Sequence, residues 1–498
     1  MGEKIYTSKQ NKKHYLMILI GIVICAVFWF SPPFSHMTQG GMKVLGIFLS
    51  VLFLMTADEI QWASIFGIGM IAFTLRDIWP DFTGVGIYRA FEMSVGHWLI
   101  PFIIANLLMA YALQDAGVVK RIAYWFLRRP IAQKSPWHFT FFFLVAALFI
   151  GCWLDPTTAL MFFLGIAYAI FKELGYKKGD TYPAMVVTAL CGTLMLTFAM
   201  TPISHGGIMT GVGIIQRLAD AQLDIVKFMI IGIPLGIVLF IGLFFLFKKF
   251  FKVDTSNFEN ADIKKIIGEK TPMDKREKWT AGVFILVVFL WIFAGAMNII
   301  APTGAIAGFF NRITLTTPAL LGVVLMLIIR VDGRPLLNFE KAARSGSVVW
   351  SVILLLACIM LLGSVLSDPG TGFTATVSSF LQPLVDSGVS PYWIMFILAI
   401  VTVVLTNFLN NIPIMILFLN VCIPLAPQLG ISGVAVGMVV LISSQMAFAT
   451  PAAFANVAIL FGDEWAIPKK IYKMGFILMA WAAIIVGLAA FAWASLFA

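Results

Sequence analysis

Charged residues are scarce in this chain. Only 12% of its 498 residues are Asp, Glu, Lys or Arg, whereas 60% are hydrophobic. A soluble protein of this length carries roughly twice that charged fraction. Apolar stretches near the spanning length of about 20 residues recur along the whole chain. The composition therefore excludes a soluble globular domain and predicts an all-α polytopic membrane protein that contacts the lipid bilayer.

The sequence motifs of several enzyme classes are also missing. We find no HExxH, Walker A or GxGxxG pattern. The five cysteines lie in apolar segments without CxxC spacing, which favours small core residues over a metal site or a disulfide framework. No small-residue cleavage site follows the first apolar run, so we interpret that run as a transmembrane helix. We expect no enzymatic activity and no organic cofactor.

The excess of positive charge has a pattern along the chain. The net charge of +10 could indicate a nucleic-acid partner, but the Lys and Arg residues cluster in alternate loops. If the N-terminus is cytoplasmic, 28 of the 34 Lys and Arg residues lie in cytoplasmic segments, namely 1–14, 120–134, 172–178, 248–278, 330–344 and 469–473. We therefore expect no nucleic acid, and predict a multi-pass protein of the bacterial inner membrane with its C-terminus outside.

This charge distribution also predicts the architecture. It requires that 137–171 and 391–426 each enter and leave the membrane on one side, the first from the cytoplasm and the second from outside. We predict about eleven transmembrane helices plus two opposed re-entrant hairpins in an inverted repeat. The predicted units are a cytoplasmic N-terminal segment 1–14, a first repeat 15–247 with hairpin 137–171, a connecting segment 248–278, and a second repeat 279–498 with hairpin 391–426.

Polar residues interrupt each hairpin near its middle. The first interruption is Asp155-Pro156-Thr157-Thr158 and the second is Asn410-Asn411-Ile412-Pro413. Such groups are tolerated at membrane depth only where protein or a water-filled cavity surrounds them. Paired interruptions in two halves are the best sequence indication of a transporter binding site. We predict substrate contacts from Thr157, Thr158, Asn410 and Asn411.

A second pair of interruptions follows the hairpins. Thr201-Pro202 and Thr450-Pro451 each come after a Phe-Ala pair by one or two residues and predict broken helices that join the substrate site. His205 follows the first break. It can carry a proton, although a single membrane histidine is more often a packing or hydrogen-bonding residue.

Asp155 has two interpretations that the sequence leaves open. An aspartate before proline is a common helix N-cap, and a carboxylate inside a span is also a functional candidate. An ionised Asp155 would favour a cation such as sodium, whereas a neutral one would carry a proton. We assign cation coupling to Asp155, Asn411 and His205, and the family resemblance described below implies a sodium ion near Asp155 and Asn411.

These motifs resemble the divalent anion/sodium symporter family, which belongs to a larger ion transporter superfamily that also holds arsenite and citrate carriers. The resemblance concentrates at 150–210 and 405–462, and Phe461-Gly462 also resembles the family. Thr157 and Asn411 match the family's Ser-Asn-Thr tip motif by position. The Asn-Asn-Ile-Pro tip is closer to the wider superfamily.

The resemblance implies a homodimer in which each subunit has a scaffold domain and a moving transport domain. It implies sodium symport of a small anionic substrate, a dicarboxylate or tricarboxylate, by an elevator-type movement. The alternative is proton-coupled or exchange transport of another anion, such as sulfate or a monocarboxylate. A channel is a different class, and it would need a continuous polar lining that the sequence does not show.

The predicted orientation can be tested by thiol labelling of intact cells. A cysteine introduced by Lys264→Cys should react only with membrane-permeant reagents, because 248–278 is predicted to be cytoplasmic. A cysteine introduced by Asp386→Cys should react with impermeant reagents. The parent protein, whose five cysteines lie in apolar segments, is the control. Labelling of position 264 by an impermeant reagent would reverse the orientation.

Overall fold

The computed structural model describes residues 8–57, 59–221, 223, 225–259, 272–386 and 388–496. This part of the chain is all-α, apart from a two-residue antiparallel ladder between Arg330–Val331 and Arg334–Pro335. Parts of the predicted segments 1–14 and 248–278, including Lys264, lie outside the described residues. The all-α prediction is confirmed.

The helices of the described chain fall on either side of residues 260–271. The first group comprises Ser8–Phe30, Gln39–Ala57, Ile60–Ile78, Gly86–Met93, Leu99–Asp115, Val118–Leu127, Pro136–Gly151, Pro156–Glu173, Thr181–Met200, Gly206–Leu218, Ile225–Phe250 and Ser256–Glu259. The second group comprises Lys275–Ile300, Ala305–Ile313, Thr316–Ile328, Phe339–Arg344, Trp350–Leu366, Phe373–Asp386, Pro391–Thr406, Asn411–Cys422, Gly433–Ser444, Ala455–Phe461 and Pro468–Leu496, with 3-10 turns at Pro369–Thr371 and Ile423–Leu429.

Many of these helices are apolar enough for a bilayer. Six in the described part are long enough to cross it, and two bent pairs raise that number to eight. Five further apolar helices have 10–17 residues, fewer than the roughly 20 that a full span needs. Most of these short helices are arms of the interrupted stretches, as expected for a polytopic membrane protein with hairpins. The number of eleven crossings remains a prediction.

Both interrupted stretches predicted as hairpins consist of two helices and a short turn. The first hairpin comprises Pro136–Gly151 and Pro156–Glu173, and the second comprises Pro391–Thr406 and Asn411–Cys422. Proline occupies the first helical position of three of these four arms, where its missing N–H has no intrahelical partner to lose. Four residues separate the arms in each hairpin, which places the polar tips at 152–155 and 407–410.

Two broken spans accompany the hairpins. The first broken span comprises Thr181–Met200 and Gly206–Leu218, and the second comprises Gly433–Ser444 and Ala455–Phe461. The first hairpin packs on the first broken span, and the second hairpin packs on the second. We call these four units the hairpin group. Helix Leu99–Asp115 is outside this group and packs on Thr316–Ile328. We call the side of the protein to which it belongs the opposite wall.

The second break is longer than the sequence predicts. We expected an interruption at Thr450-Pro451, but helical structure stops at Ser444 and the break begins at Gln445. The reason is a side chain from the second hairpin. Asn407 Oδ1 accepts hydrogen bonds from the N–H groups of Phe448 and Ala449, at 2.7 and 2.8 Å. These two backbone N–H groups therefore have a hydrogen-bond acceptor although they lie outside a helix.

In each half of the chain, one glycine lets a helix pack closely against the backbone of another segment. A Cβ atom at Gly232, in helix Ile225–Phe250, would lie 2.0 Å from the carbonyl oxygen of Ala199. A Cβ atom at Gly475, in helix Pro468–Leu496, would lie 2.6 Å from the Cα atom of Ala449. Each glycine thus lets a helix touch the backbone near a break.

Candidate functional site

A cavity of about 680 Å³ brings the two hairpin tips together. Asp155, Thr157 and Thr158 line it from the first tip, and Asn410 and Ile412 line it from the second. The first break contributes Ile203, Ser204, His205 and Gly206, and the second contributes Phe454 and Ala455. Residues from four segments, up to 300 positions apart in sequence (Asp155 and Ala455), thus share one cavity.

Three helices begin at this cavity. Asp155, His205 and Asn410 are the N-cap residues of Pro156–Glu173, Gly206–Leu218 and Asn411–Cys422, and all three line it. The first N–H groups of a helix have no intrahelical acceptor, and each helix N-terminus carries about half a positive charge. No Lys or Arg is among the described residues that line the cavity. The described lining therefore offers an anion helix N-termini in place of cationic side chains.

The two hairpin tips are capped by their own side chains. Asp155 Oδ1 accepts hydrogen bonds from the N–H groups of Thr157 and Thr158, at 3.0 and 3.1 Å. Asn410 Oδ1 accepts one from Ile412 at 3.1 Å. Asp155 is thus a helix cap and also a cavity residue, and its role in coupling stays a prediction. Helix Gly206–Leu218 has no side-chain cap, which leaves its first N–H groups available to a ligand.

Ser204 and His205 are buried at the uncapped helix. The His205 ring lies between two aromatic rings, with centroids 4.6 Å from Phe198 and 5.6 Å from Phe454. Neither His205 Nδ1 nor Ser204 Oγ has a hydrogen-bond partner in the described part of the chain. Since both residues line the cavity, these two polar atoms can serve a bound ligand.

Both Thr-Pro pairs fasten a break to a hairpin tip. The Thr201 hydroxyl donates to the carbonyl oxygen of Cys152, and the Thr450 hydroxyl donates to that of Asn407 at 2.6 Å. Cys152 and Asn407 occupy the same place, directly after the first arm of each hairpin. Neither Thr201-Pro202 nor Thr450-Pro451 is among the residues that line the cavity, and Pro451 is exposed. The structure therefore places these four residues behind the site.

Asn411 also lies just behind the cavity. Its side chain is fully buried, and its Nδ2 donates to Gln445 Oε1 at 2.7 Å. Its Oδ1 has no partner among the described residues. An amide oxygen is a hard ligand that suits a cation such as sodium. This atom is compatible with the predicted cation site at the second tip, with Gln445 as its positioning partner.

Asn407 is a residue of the second tip whose structural role the sequence reasoning missed. It is fully buried, and its Nδ2 donates to the carbonyl oxygens of Val403 and Met446, both at 2.7 Å. With the two bonds that its Oδ1 accepts from Phe448 and Ala449, it uses its whole hydrogen-bonding capacity. An asparagine at the end of an apolar run was the available signal. Three of its four partners, Met446, Phe448 and Ala449, lie 39 to 42 residues away and could not be predicted.

The fold and the site together are those of a multi-pass membrane transporter. The family model described as "Citrate transporter" matches residues 50–444, and the chain belongs to that family. This confirms the predicted membership of the ion transporter superfamily. The members of this family are transporters and not enzymes, in agreement with the missing catalytic motifs.

Individual relatives are distant but cover almost the whole chain. The sodium-dependent dicarboxylate transporter SdcS of Staphylococcus saprophyticus is 22% identical over 501 residues, which cover 94% of this chain and 90% of that protein. An uncharacterized transporter of Haemophilus influenzae is 22% identical over 498 residues, 96% of each chain. The crystal structure of the Alcanivorax borkumensis YdaH transporter aligns with a TM-score of 0.49 at 12% identity, over 91% of this chain and 98% of that one.

Replacing Asn407 or Asn410 of the second tip by alanine should lower the stability of the protein by clearly different amounts. Asn410→Ala removes a single capping bond and should cost about 0.5–2 kcal/mol of stability. Asn407→Ala leaves several buried backbone groups without partners, at about 1–3 kcal/mol each. Thermal unfolding of the two variants in detergent measures the difference. Equal melting temperatures would contradict the role of Asn407 as the link between tip and break.

Proposed function

We propose that this protein is a secondary active transporter that moves a small organic anion in symport with a cation. The observation that carries the proposal is the cavity in which three helix N-termini and both hairpin tips meet without a Lys or Arg side chain. Backbone N–H groups bind anions at helix N-termini. An anion held by partial charges can be released again more easily than one paired with a buried cation.

We propose a dicarboxylate or tricarboxylate as the substrate and sodium as the coupling ion. Support comes from the distant relative whose name specifies sodium and dicarboxylate. The chemistry of the cavity agrees, because Asp155 lines it and an ionised carboxylate would repel an anionic substrate unless a cation binds as well. The unpaired Oδ1 of Asn411 and the Asp155 carboxylate are the proposed sodium ligands.

We propose alternating access of the elevator type, which the positions of two cavities support. The cavity extends from the tips to Ile60, Gln114 and Ser345, near helix ends that the charge distribution places at the cytoplasm. A second cavity of about 340 Å³, lined by residues such as Gln216 and Asn298, lies near the opposite helix ends and includes neither tip. We propose that this is an inward-open state and that the hairpin group moves past helix Leu99–Asp115.

We also propose an inverted repeat and a dimeric assembly for this chain. The matched bonds from Thr201 to Cys152 and from Thr450 to Asn407 support an inverted repeat with units 15–247 and 279–498. The family resemblance supports a homodimer in the bacterial inner membrane, with scaffold and transport domains.

A second candidate is a proton-coupled or exchange transporter of sulfate or a monocarboxylate. It is favoured by His205, a buried histidine that lines the same cavity as Asp155. A channel is disfavoured, because Phe102, Trp153 and Phe162 interrupt the polar lining.

Uptake into proteoliposomes tests the proposed function directly. The purified protein should accumulate a di- or tricarboxylate against its gradient when a sodium gradient is imposed, and the uptake should saturate. Sulfate and a monocarboxylate complete the substrate panel, and an imposed proton gradient tests the second candidate. Passive equilibration of the substrate, independent of either gradient, would indicate a channel.

The substitution Asp155→Asn separates sodium coupling from proton coupling. It keeps the side chain's shape and its capping oxygen but removes the charge. We expect the variant to lose most of its stimulation by sodium at every pH, because a neutral amide is a weaker sodium ligand than a carboxylate. Loss of pH dependence with intact sodium stimulation would support the proton-coupled candidate. Unchanged responses to both ions would show that Asp155 acts only as a helix cap.

A further inference from the structure

We propose that Asn106, on helix Leu99–Asp115, binds the end of the substrate that lies away from the hairpin tips. The substrate class is then a compact anion with two oxygen-rich ends, bound by the tips at one end and by the opposite wall at the other. This inference rests on the proposed function and assigns a specificity-determining residue to the wall that the hairpins face.

Helix Leu99–Asp115 presents one face to the cavity. Six residues of this helix line it, at spacings of three and four residues that keep side chains on one side, namely Phe102, Ile103, Asn106, Leu107, Ala110 and Gln114. Four of the six are apolar, as expected for a surface past which another domain slides. Asn106 and Gln114 are the exceptions, and both are amides.

The amide nitrogens of these two side chains are buried without a partner. Neither Asn106 Nδ2 nor Gln114 Nε2 has a hydrogen-bond acceptor among the described residues. Two other amides in the described chain show the usual outcome: Gln216 Nε2 donates to Leu223 O and Asn420 Nδ2 donates to Ile416 O, each at 2.9 Å. A buried donor without an acceptor is unfavourable, and water or a ligand in the cavity must supply one.

Position along the helix distinguishes Asn106 from Gln114. Eight residues separate them, about 12 Å of helix at 1.5 Å per residue. Gln114 belongs to the last turn of the helix. Asn106 lies two turns earlier and one turn from Ile103, whose Cδ1 atom would be 2.7 Å from a Cβ atom at Gly206, the first residue of the uncapped helix. A compact substrate held at the tips can therefore meet Asn106 but not both amides at once.

The chemistry of the two walls is complementary for a substrate with two acceptor groups. The tip wall offers the uncapped N-terminus of Gly206–Leu218, with Ser204 and His205 beside it. The opposite wall offers the N–H donors of Asn106. A carboxylate accepts hydrogen bonds from both kinds of donor. A monocarboxylate would use the tip wall and leave the Asn106 donor unpaired, so this residue should discriminate between the two substrate classes.

Transport kinetics of the full chain in proteoliposomes test this inference. The probes are succinate and citrate, which have two or more carboxylates, and butyrate, which has one. Asn106→Leu should raise the KM for the substrates with several carboxylates by about 5- to 150-fold, the effect of one lost hydrogen bond, and should leave the KM for butyrate nearly unchanged. Asn106→Asp, which retains the side chain's shape, should raise the former KM values further, because its charge repels a second carboxylate.

Two matched variants serve as controls. Gln114→Met removes the other amide of the same cavity, and Asn298→Leu removes one from the second cavity, near the predicted outer side. Both should keep the discrimination of the parent protein. Melting temperatures of all four variants report folding, and Asn106→Asp provides the test if Asn106→Leu does not fold.

The outcomes separate this inference from the proposed function. Equal effects of Asn106→Leu on all probes, no effect, or the same selective loss in Gln114→Met would overturn the role of Asn106 and leave the transporter intact. If the parent protein takes up butyrate but neither succinate nor citrate, the role of Asn106 is also overturned while the protein remains a transporter. If the parent protein accumulates no anion under either gradient, the proposed function fails and this inference fails with it.

Discussion

The structure depends on one constraint: a helix that stops inside an apolar environment must find partners for its free backbone groups. The hairpins and broken spans create several such ends close to one another. Asn407 supplies four hydrogen bonds to this region, and the hydroxyls of Thr201 and Thr450 each supply one. Asp155 and Asn410 cap two of the helices. The polar residues that interrupt the apolar stretches are thus the same residues that provide hydrogen-bond partners for the broken backbone.

Not every free group is satisfied in this way, and those that remain define the site. Helix Gly206–Leu218 begins without a side-chain cap, and Ser204 Oγ and His205 Nδ1 have no partner among the described residues. These groups converge on a cavity whose described lining contains Asp155 but no Lys or Arg. Backbone dipoles of this kind suit a carrier, because they attract an anion without holding it in a strong ion pair. A cation bound near Asp155 would offset the one negative charge that opposes the substrate.

The sequence predicts the position of the two tips better than the links that hold them, and Thr201, Pro202, Thr450, Pro451 and Asn411 lie outside the cavity lining. Both tips could be found because polar residues stand out in apolar runs, and Asp155, Thr157, Thr158, His205 and Asn410 do line one cavity. Composition also sufficed for the all-α membrane fold. The early break at Gln445 could not be predicted, because it depends on Asn407 from another helix. The sequence also assigns no binding role to Asn106, because a single amide in an apolar helix gives no sign that it faces the tips.

The central claim is that the cavity between the tips binds an organic anion, and protection of a cysteine introduced by Ser204→Cys tests it most directly. The parent protein gives the background from its own thiols. Alkylation of the new thiol in the purified protein should be slowed by succinate or citrate in a concentration-dependent manner and remain unaffected by the uncharged diamide of succinate. Equal alkylation rates with and without the anions, or equal protection by the diamide, would contradict anion binding at this cavity.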